Sequence, residues 1–349
     1  MNINFETNIF RRKLTKNIAA FFVGKESVYD KNFVQNISIK KIAIIRPNHR
    51  LGNQLLLTPL LNEVIAIFPD CEIDLFLKGS VGKVIFSNYD NVTSFIELPK
   101  KHFKNPLQYV SAWFQLKNKK YDLIINAVSN SSSGKIATKI SNAKLKFFGL
   151  KEQEDNPDDY NHIAKKTVYK FRNFLIENGF KLPKTAIPPL DLKLSTEEIK
   201  KGNEIVDGIV KNTKKTIALF TYATGNKCYS KEWWDEFYKL FSVKFANYNI
   251  IEILPVENIS NLSVEIPQFY STDIREIASV IANTVLFVGA DSGMMHLASS
   301  SKTTTVGLFA VTNPQIYKPY GNRSVAIDTN ISTHQDIVNN IEKLLDQNP

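Results

Sequence analysis

The sequence lacks several features that define whole classes of proteins. Only two cysteines occur in 349 residues, Cys71 and Cys228, and they have no metal-ligand spacing. A disulfide scaffold is therefore excluded, and each cysteine is predicted to be a small buried or half-buried thiol in a reducing compartment. No apolar run reaches the roughly 18–20 residues that a membrane-spanning helix needs. Zinc-finger spacing, basic-zipper heptads and aromatic RNA-binding signatures are absent too, so no nucleic-acid partner is predicted.

The chain carries an excess of positive charge spread along its length. Lys and Arg number 44 against 34 Asp and Glu, which gives a formal net charge of +10. Such a balance favours anionic partners such as phosphates or an acidic membrane face. The hydrophobic fraction of 43% is ordinary for a globular protein. A chain of this length is expected to form two domains.

Residues 1–40 are interpreted as a basic extension that precedes the folded body. Within it, residues 9–23 place four basic side chains before a short apolar stretch without a small-x-small cleavage site, which argues against a signal peptide. A basic amphipathic helix fits this pattern. Such a helix can lie on a membrane surface or pack on the body of the protein, and both interpretations stay open.

From Lys41 onward, β-branched apolar segments alternate with segments of helical periodicity, which predicts parallel sheets covered by helices. A Pro-containing linker divides the body into domains at 41–185 and 186–349. The expected fold is therefore α/β, with two Rossmann-like doubly wound domains that face a cleft. The predicted strands are 41–45, 72–77, 92–98, 121–127, 145–148, 216–220, 249–254, 285–289 and 304–309. The predicted helices are 53–68, 80–87, 107–117, 163–177, 195–210, 233–244, 273–282, 294–300 and 335–345.

The segment 289–298 contains the sharpest chemical signal. It lies where a buried strand turns into a helix, and free N–H groups at a helix start favour a phosphate. Ser292 can donate a hydroxyl hydrogen bond, Gly293 leaves room for the anion, and His296 follows about one turn later. The alternative is an ordinary turn with Asp291 as the N-cap and His296 as a core histidine.

A second polar loop, 221–227, follows another strand of the same predicted sheet. Lys227 could place a point charge on a phosphate, or it could be a solvated loop lysine. Ligands of parallel sheets bind at the carboxyl ends of strands, so the two loops together predict one anion-binding cleft facing the first domain. No G-x-G-x-x-G follows the first strand, which disfavours a nicotinamide-dependent oxidoreductase.

Three motifs occur in the order in which glycosyltransferase family 9 carries them, and on these motifs the chain resembles that family. The first motif is Ile42-Ala43-Ile44-Ile45-Arg46-Pro47, followed by Leu51-Gly52-Asn53 and Leu57-Thr58-Pro59. The second is Lys227, which stands before the aromatic helix of Trp233 and Phe237. The third is Asp291-Ser292-Gly293-x-x-His296-x-Ala298, followed by Leu308-Phe309-x-x-Thr312-x-Pro314 and Pro319-Tyr320-Gly321. The resemblance covers about residues 41–345. The family includes the heptosyltransferases of lipopolysaccharide core assembly.

The resemblance implies a glycosyltransferase B fold and an inverting, metal-independent transfer. The second domain would hold the nucleotide-sugar donor, ADP-heptose, and the first would hold a lipopolysaccharide core or other anionic glycolipid acceptor. No cofactor beyond the nucleotide-sugar and no metal site is implied. The enzyme would be cytoplasmic and peripheral on the inner face of the inner membrane. Implied donor-binding residues are Thr224, Lys227, Asp291, Ser292, Gly293 and His296. Lys227 would neutralise the leaving phosphate, and Asp291 would orient the donor sugar.

One departure concerns the residue that removes the acceptor proton. The family usually has an aspartate after Leu-Gly, where this chain has Asn53, and an amide cannot take a proton. His49 is the favoured replacement because its ordinary pKa suits a general base, although it could be a surface side chain. Asp74 or a group on the acceptor are alternatives.

The same loop predicts the acceptor contacts. Arg46, Arg50 and Asn53 are assigned to acceptor binding. The positive charge of Arg46, His49 and Arg50 would suit a phosphorylated or carboxylated glycolipid. Two other functions stay open: a glycosyltransferase that uses a UDP- or GDP-sugar, and a nucleotide-sugar-binding protein without turnover.

Overall fold

The computed structural model describes Tyr29 and residues 37–101, 104–152 and 156–346. Its first half contains a sheet of five parallel strands in the order β3-β2-β1-β4-β5. These strands are β1 (Lys41–Arg46), β2 (Glu72–Lys78), β3 (Val92–Leu98), β4 (Lys120–Asn126) and β5 (Asn142–Phe147). The helices of this half are α1 (Leu51–Leu55), α2 (Thr58–Ile67), α3 (Val81–Ile85), α4 (Pro106–Asn118), α5 (Ser132–Ile140) and α6 (Lys165–Glu177).

The second half repeats the architecture with six parallel strands in the order β11-β10-β9-β6-β7-β8. These strands are β6 (Thr216–Phe220), β7 (Asn249–Ile253), β8 (Gln268–Phe269), β9 (Leu286–Ala290), β10 (Thr305–Phe309) and β11 (Val325–Asp328). The helices are α7 (Thr196–Val210), α8 (Lys231–Lys244), α9 (Ile274–Ala282), α10 (Gly293–Ser300), α11 (Pro314–Tyr317) and α12 (His334–Asp346). The predicted α/β fold with two doubly wound sheets is confirmed.

All nine predicted strands occur within a few residues of their predicted bounds, but the predicted helix 53–68 is wrong. Two helices, α1 and α2, replace it. Pro59 stands in the first turn of α2, where it has no N–H to offer the carbonyl of Leu55. The Thr58 hydroxyl donates to that carbonyl instead, at 2.7 Å. The chain therefore turns at this point, and α1 becomes a short separate helix at the edge of the cleft.

One apolar core extends through both halves. It includes Ile44 and Ile125 of the first sheet, Ala218 and Phe287 of the second, and Leu192 of the segment between them. The predicted domain boundary at 185/186 falls in the segment 178–195, between α6 and α7, and it stays a prediction. Both cysteines are free thiols, with Cys71 buried and Cys228 half-buried, as predicted.

The predicted membrane-surface helix at residues 9–23 lies outside the described residues. In the parts of the chain that the structure describes, no helix is both long enough and apolar enough to cross a bilayer.

Candidate donor and acceptor cleft

Three loops converge at the carboxyl edge of the second sheet. They follow β6, β9 and β10, which are neighbours in the sheet. Lys227 Nζ lies 2.5 Å from Asp291 Oδ2, and the Thr312 hydroxyl donates a hydrogen bond to the same oxygen. The predicted meeting of the 221–227 loop with the 289–298 segment is therefore confirmed. Thr224 is exposed just before the single 3₁₀ turn that carries Lys227.

Helix α10 begins at this cluster, and Ser292 is its N-cap. The Ser292 hydroxyl accepts from the backbone N–H of Met295 at 3.4 Å. The alternative prediction that Asp291 caps the helix is wrong, because its carboxylate binds Lys227 and Thr312 instead. The other N–H groups of the first turn have no partner within the helix. Together with Lys227 they make the helix start a site suited to an anion.

His296 lies one turn into α10 and is buried. Burial lowers its pKa to about 4, and the positive charge of Lys227 acts in the same direction, while Asp291 opposes the shift. The imidazole is therefore neutral at physiological pH. A neutral ring retains one N–H donor and one acceptor nitrogen, so it can donate a hydrogen bond to a phosphate oxygen without placing a full charge in the core.

The starts of α1 and α10 face each other across the cleft. A Cβ added at Gly52 would lie 3.0 Å from His296 Cδ2 and 3.3 Å from the Cα of Gly293. A side chain at Gly52 would therefore require the His296 ring or the start of α10 to shift. This contact confirms that the carboxyl edge of the second sheet, where α10 begins, faces the first half of the chain, as predicted.

Arg46, at the end of β1, is buried rather than presented on the surface. Its Nε donates to the backbone oxygen of Asn53 at 3.1 Å, and its second terminal nitrogen donates to Asn53 Oδ1 at 3.1 Å. Burial lowers the pKa of the guanidinium to about 10, so it remains charged at neutral pH. Arg46 fixes the orientation of Asn53, and the acceptor-binding role predicted for both residues stays a prediction.

His49 and Arg50 are exposed on the loop that enters α1. The Asn48 side chain accepts from the backbone N–H of Arg50 at 2.9 Å and shapes the turn. Partial desolvation lowers the pKa of His49, and the nearby charges of Lys78, Lys100 and Arg50 lower it further. The rim of this half of the cleft is therefore basic, and His49 is mainly neutral at pH 7.

Asp74 is not available as a general base. It lies in the first half of β2, away from the carboxyl edge of the sheet, and is buried. Its Oδ2 accepts from Lys119 Nζ at 2.7 Å and from the Tyr121 hydroxyl at 2.7 Å. The alternative that assigned the proton transfer to Asp74 is therefore wrong.

The sequence reasoning missed His162, which links the two halves near His296. Its Nε2–H donates to the carbonyl of Lys318 at 2.8 Å, and its Nδ1 accepts from the backbone N–H of Ala164 at 3.3 Å. Its ring meets Tyr320 edge-on, with 4.9 Å between centroids. Tyr320 belongs to a recognised motif, but no local pattern marks His162. Thr312 also lies in a recognised motif, to which the sequence alone gave no role.

Within residues 37–101, 104–152 and 156–346, no group of three or more His, Cys, Asp or Glu side chains could hold a metal ion.

Two doubly wound sheets that meet at their carboxyl edges around the start of α10 form a glycosyltransferase B fold. Residues 269–344 match the model of glycosyltransferase family 9 (heptosyltransferase). The chain is 25% identical over 288 residues to the lipopolysaccharide core heptosyltransferase OpsX of Haemophilus influenzae, which spans 77% of this chain and 78% of that protein. The predicted resemblance to the family is therefore confirmed, and the comparisons identify the chain as a glycosyltransferase.

Solved structures show the same fold at low sequence identity. A family 9 glycosyltransferase from Veillonella parvula superposes with a TM-score of 0.70 at 17% identity, covering 88% of this chain and 97% of that one. The Escherichia coli heptosyltransferase WaaC, solved with ADP, gives 0.61 at 15% identity, covering 88% and 100%. The E. coli ADP-heptose lipopolysaccharide heptosyltransferase II gives 0.60 at 15% identity, covering 88% and 99%.

Proposed function

We propose that this enzyme transfers a heptose from ADP-heptose to a lipopolysaccharide core or another lipid-linked acceptor at the cytoplasmic face of the inner membrane. The observation that carries the proposal is the pairing of Lys227 with Asp291 at the start of α10, 2.5 Å apart. Two relatives support the choice of donor, since one is solved with ADP and another is described as an ADP-heptose enzyme.

In the proposed reaction an acceptor hydroxyl oxygen attacks C1 of the heptose. The bond from C1 to the diphosphate oxygen breaks, ADP leaves with the electron pair, and the configuration at C1 inverts. Negative charge grows on the diphosphate during this step. Fixed positive partners for this charge come from Lys227, the Ser292 hydroxyl and the N–H groups at Gly293, and no metal ion is required. Asp291 holds Lys227 in place before the donor arrives, so little reorganisation is needed.

Asp291 and His296 have separate roles in this proposal. Lys227 and Thr312 both engage Oδ2 of Asp291, and Oδ1 accepts a hydrogen bond from a sugar hydroxyl. His296 is neutral and buried, so it donates a single hydrogen bond to the diphosphate. Thr224, exposed beside the loop that carries Lys227, completes the donor contacts.

His49 is the proposed general base. Its lowered pKa keeps the imidazole unprotonated at pH 7, so a ring nitrogen can accept the hydroxyl proton. The Asn53 amide cannot accept a proton, and its side-chain oxygen Oδ1 already accepts a hydrogen bond from Arg46. Its NH₂ group acts instead as a donor that orients the acceptor. Arg50, with Lys78 and Lys100 nearby, attracts an anionic glycolipid to this rim.

A transfer assay with ADP-heptose and lipid A-core acceptors tests the proposal on matched variants. Lys227→Ala is expected to lower kcat by about 10²–10³, as the loss of one fixed donor to developing charge does. His49→Ala is expected to lower kcat by about 10²–10⁴ and to remove the acidic limb of the pH profile. Lys200→Ala, an exposed lysine on α7, serves as the control and should transfer like the wild type.

Each result bears on a different part of the proposal. A His49→Ala enzyme with an unchanged pH profile would remove His49 as the base but leave the donor site intact. Transfer from UDP- or GDP-sugars in place of ADP-heptose would overturn the donor assignment. Tight binding of ADP-heptose without transfer to any acceptor would favour the binding-protein alternative.

A further inference from the structure

Helix α4 carries an apolar stripe on its outer side. Leu107 is 86% exposed, Val110 49% and Phe114 57%. Their spacing of three and four residues places them on one face of the helix. Ala112 and Leu116 are buried on the opposite side, against the body of the protein. A helix at a protein surface ordinarily has a polar outer face, so the exposed apolar stripe of α4 indicates a surface that binds a partner.

The segment that carries the stripe contains charged side chains of one sign. Residues 99–120 contain six lysines and no Asp or Glu. Lys100, Lys101 and Lys104 precede the helix and are exposed, and Lys117 is exposed near its end. Lys119 forms an ion pair with Asp74. An apolar stripe bordered by lysines complements a surface that is anionic outside and apolar beneath, which describes a bilayer with acidic headgroups.

We propose that the outer face of α4 and the lysines before it form a docking surface for an anionic lipid bilayer. Leu107, Val110 and Phe114 enter the headgroup boundary, and Lys100, Lys101 and Lys104 contact lipid phosphates. A second copy of this chain fits the surface less well. A two-fold dimer would bring the same lysine-rich segment against itself, with no acidic side chain in it to neutralise the charge.

The position of the surface relates it to the cleft. The Lys100 side chain covers Gly79 at the end of β2, where an added Cβ would lie 2.8 Å from Lys100 Cε. Lys100 is also close enough to His49 to lower its pKa. The docking surface therefore begins at the carboxyl edge of the first sheet. Docking would bring the loop of His49 and Arg50 next to the lipid headgroups. Membrane docking through α4 is separate from sugar transfer and does not depend on which donor is used.

Co-sedimentation of the full chain with extruded vesicles tests the proposal without any transferase assay. The vesicles are phosphatidylethanolamine with or without phosphatidylglycerol, and they contain no glycolipid acceptor. One variant replaces the stripe by Leu107→Ser, Val110→Ser and Phe114→Ser. The other replaces the lysines by Lys100→Gln, Lys101→Gln and Lys104→Gln. Matched controls replace equally exposed residues elsewhere: Val243, Val256 and Ile331 by Ser, and Lys200, Lys201 and Lys211 by Gln.

The lysine variant is expected to bind phosphatidylglycerol vesicles about fivefold more weakly for each lysine removed. High salt should weaken the wild type towards the same level. The stripe variant should lose at least tenfold, and both controls should bind like the wild type. Because the six replaced side chains are exposed, circular dichroism should show folded protein in every case.

Two outcomes would overturn the proposal. One is that both α4 variants bind vesicles as tightly as the wild type, which would assign any binding to another part of the chain. The other is that the stripe variant abolishes a concentration-dependent dimer, measured by light scattering, while vesicle binding is unchanged. The stripe would then be an interface between copies.

Discussion

Two buried histidines, His162 and His296, are held neutral inside the protein, and this sets a pH dependence of stability. Burial lowers the pKa of each to about 4, against an ordinary value of 6.5. Between these values the unfolded chain binds a proton at each histidine and the folded chain does not. The free energy of unfolding should therefore be highest above pH 6.5 and fall as the pH drops towards 4.

Each histidine is expected to contribute up to about 1.4 kcal/mol per pH unit to this slope. Urea unfolding of the wild type and His162→Gln across that range measures it, since the Gln amide can still donate to Lys318. The slope should be shallower in His162→Gln than in the wild type, and His49→Gln, at an exposed histidine, should change it less. An equal slope in His162→Gln and the wild type would show that neutral His162 does not contribute to the pH dependence of stability.

At the scale of residues, the sequence identified those site residues whose side-chain chemistry and place just after a strand both indicate the cleft. Lys227 and Asp291 follow neighbouring strands, and parallel topology brings such residues to one edge. Position in the sequence could not distinguish an exposed His49 from a buried Arg46, since both are basic residues in one loop. His162 was missed because its partner, the carbonyl of Lys318, lies 156 residues further along the chain. No local pattern carries such a contact.

At the scale of elements, the contact between α1 and α10 fixes the anion-binding helix start. Gly52→Ala should favour α1 by about 0.5–1 kcal/mol through helix propensity. The added methyl would press on the buried His296 ring and on the Cα of Gly293, neither of which can yield freely. Overpacking of this kind costs about 1–3 kcal/mol, so we expect a net loss of stability and weaker ADP binding.

The matched control lies on the exposed face of helix α7. A Cβ added at Gly208 meets no atom within 4 Å, so Gly208→Ala should raise the free energy of unfolding by about 0.5–1 kcal/mol and leave ADP binding unchanged. Chemical unfolding and titration calorimetry of the two variants compare them directly. Equal stabilisation by both substitutions would show that α1 and α10 do not constrain each other.

The elements that the sequence predicted are those with long apolar periodicity, and the elements it missed are short or polar. Helix α5 begins in a run of serines, β8 has two residues and α11 has four. Such segments are stabilised by neighbours rather than by their own pattern. The break between α1 and α2 is different, because Pro59, which marks it, can be seen in the sequence. The apolar face of 56–68 continued across it and concealed the turn.

At the scale of the whole molecule, the two sheets are joined through the segment 190–192 as well as through the cleft. The backbone N–H of Asp191 donates to the Thr58 hydroxyl at 3.2 Å. The next N–H, of Leu192, donates to the carbonyl of Ser300 at 2.9 Å. The side chains of Leu190 and Leu192 are buried in the core that extends through both halves. Residues 190–192 are thus part of the folded body, whereas residues 183–186 just before them are exposed.

A chain with two sheets would ordinarily be expected to unfold in more than one step, and this connection predicts a single step. Ile96→Ala and Phe241→Ala each open a cavity in a separate outer cluster, one beside the first sheet and one beside the second. Each should cost about 2–5 kcal/mol. In scanning calorimetry both variants should move one transition to lower temperature without splitting it. If Ile96→Ala shifted only part of the heat absorption to lower temperature, the two halves would unfold independently. The buried leucines between them would then contact both halves without coupling their unfolding.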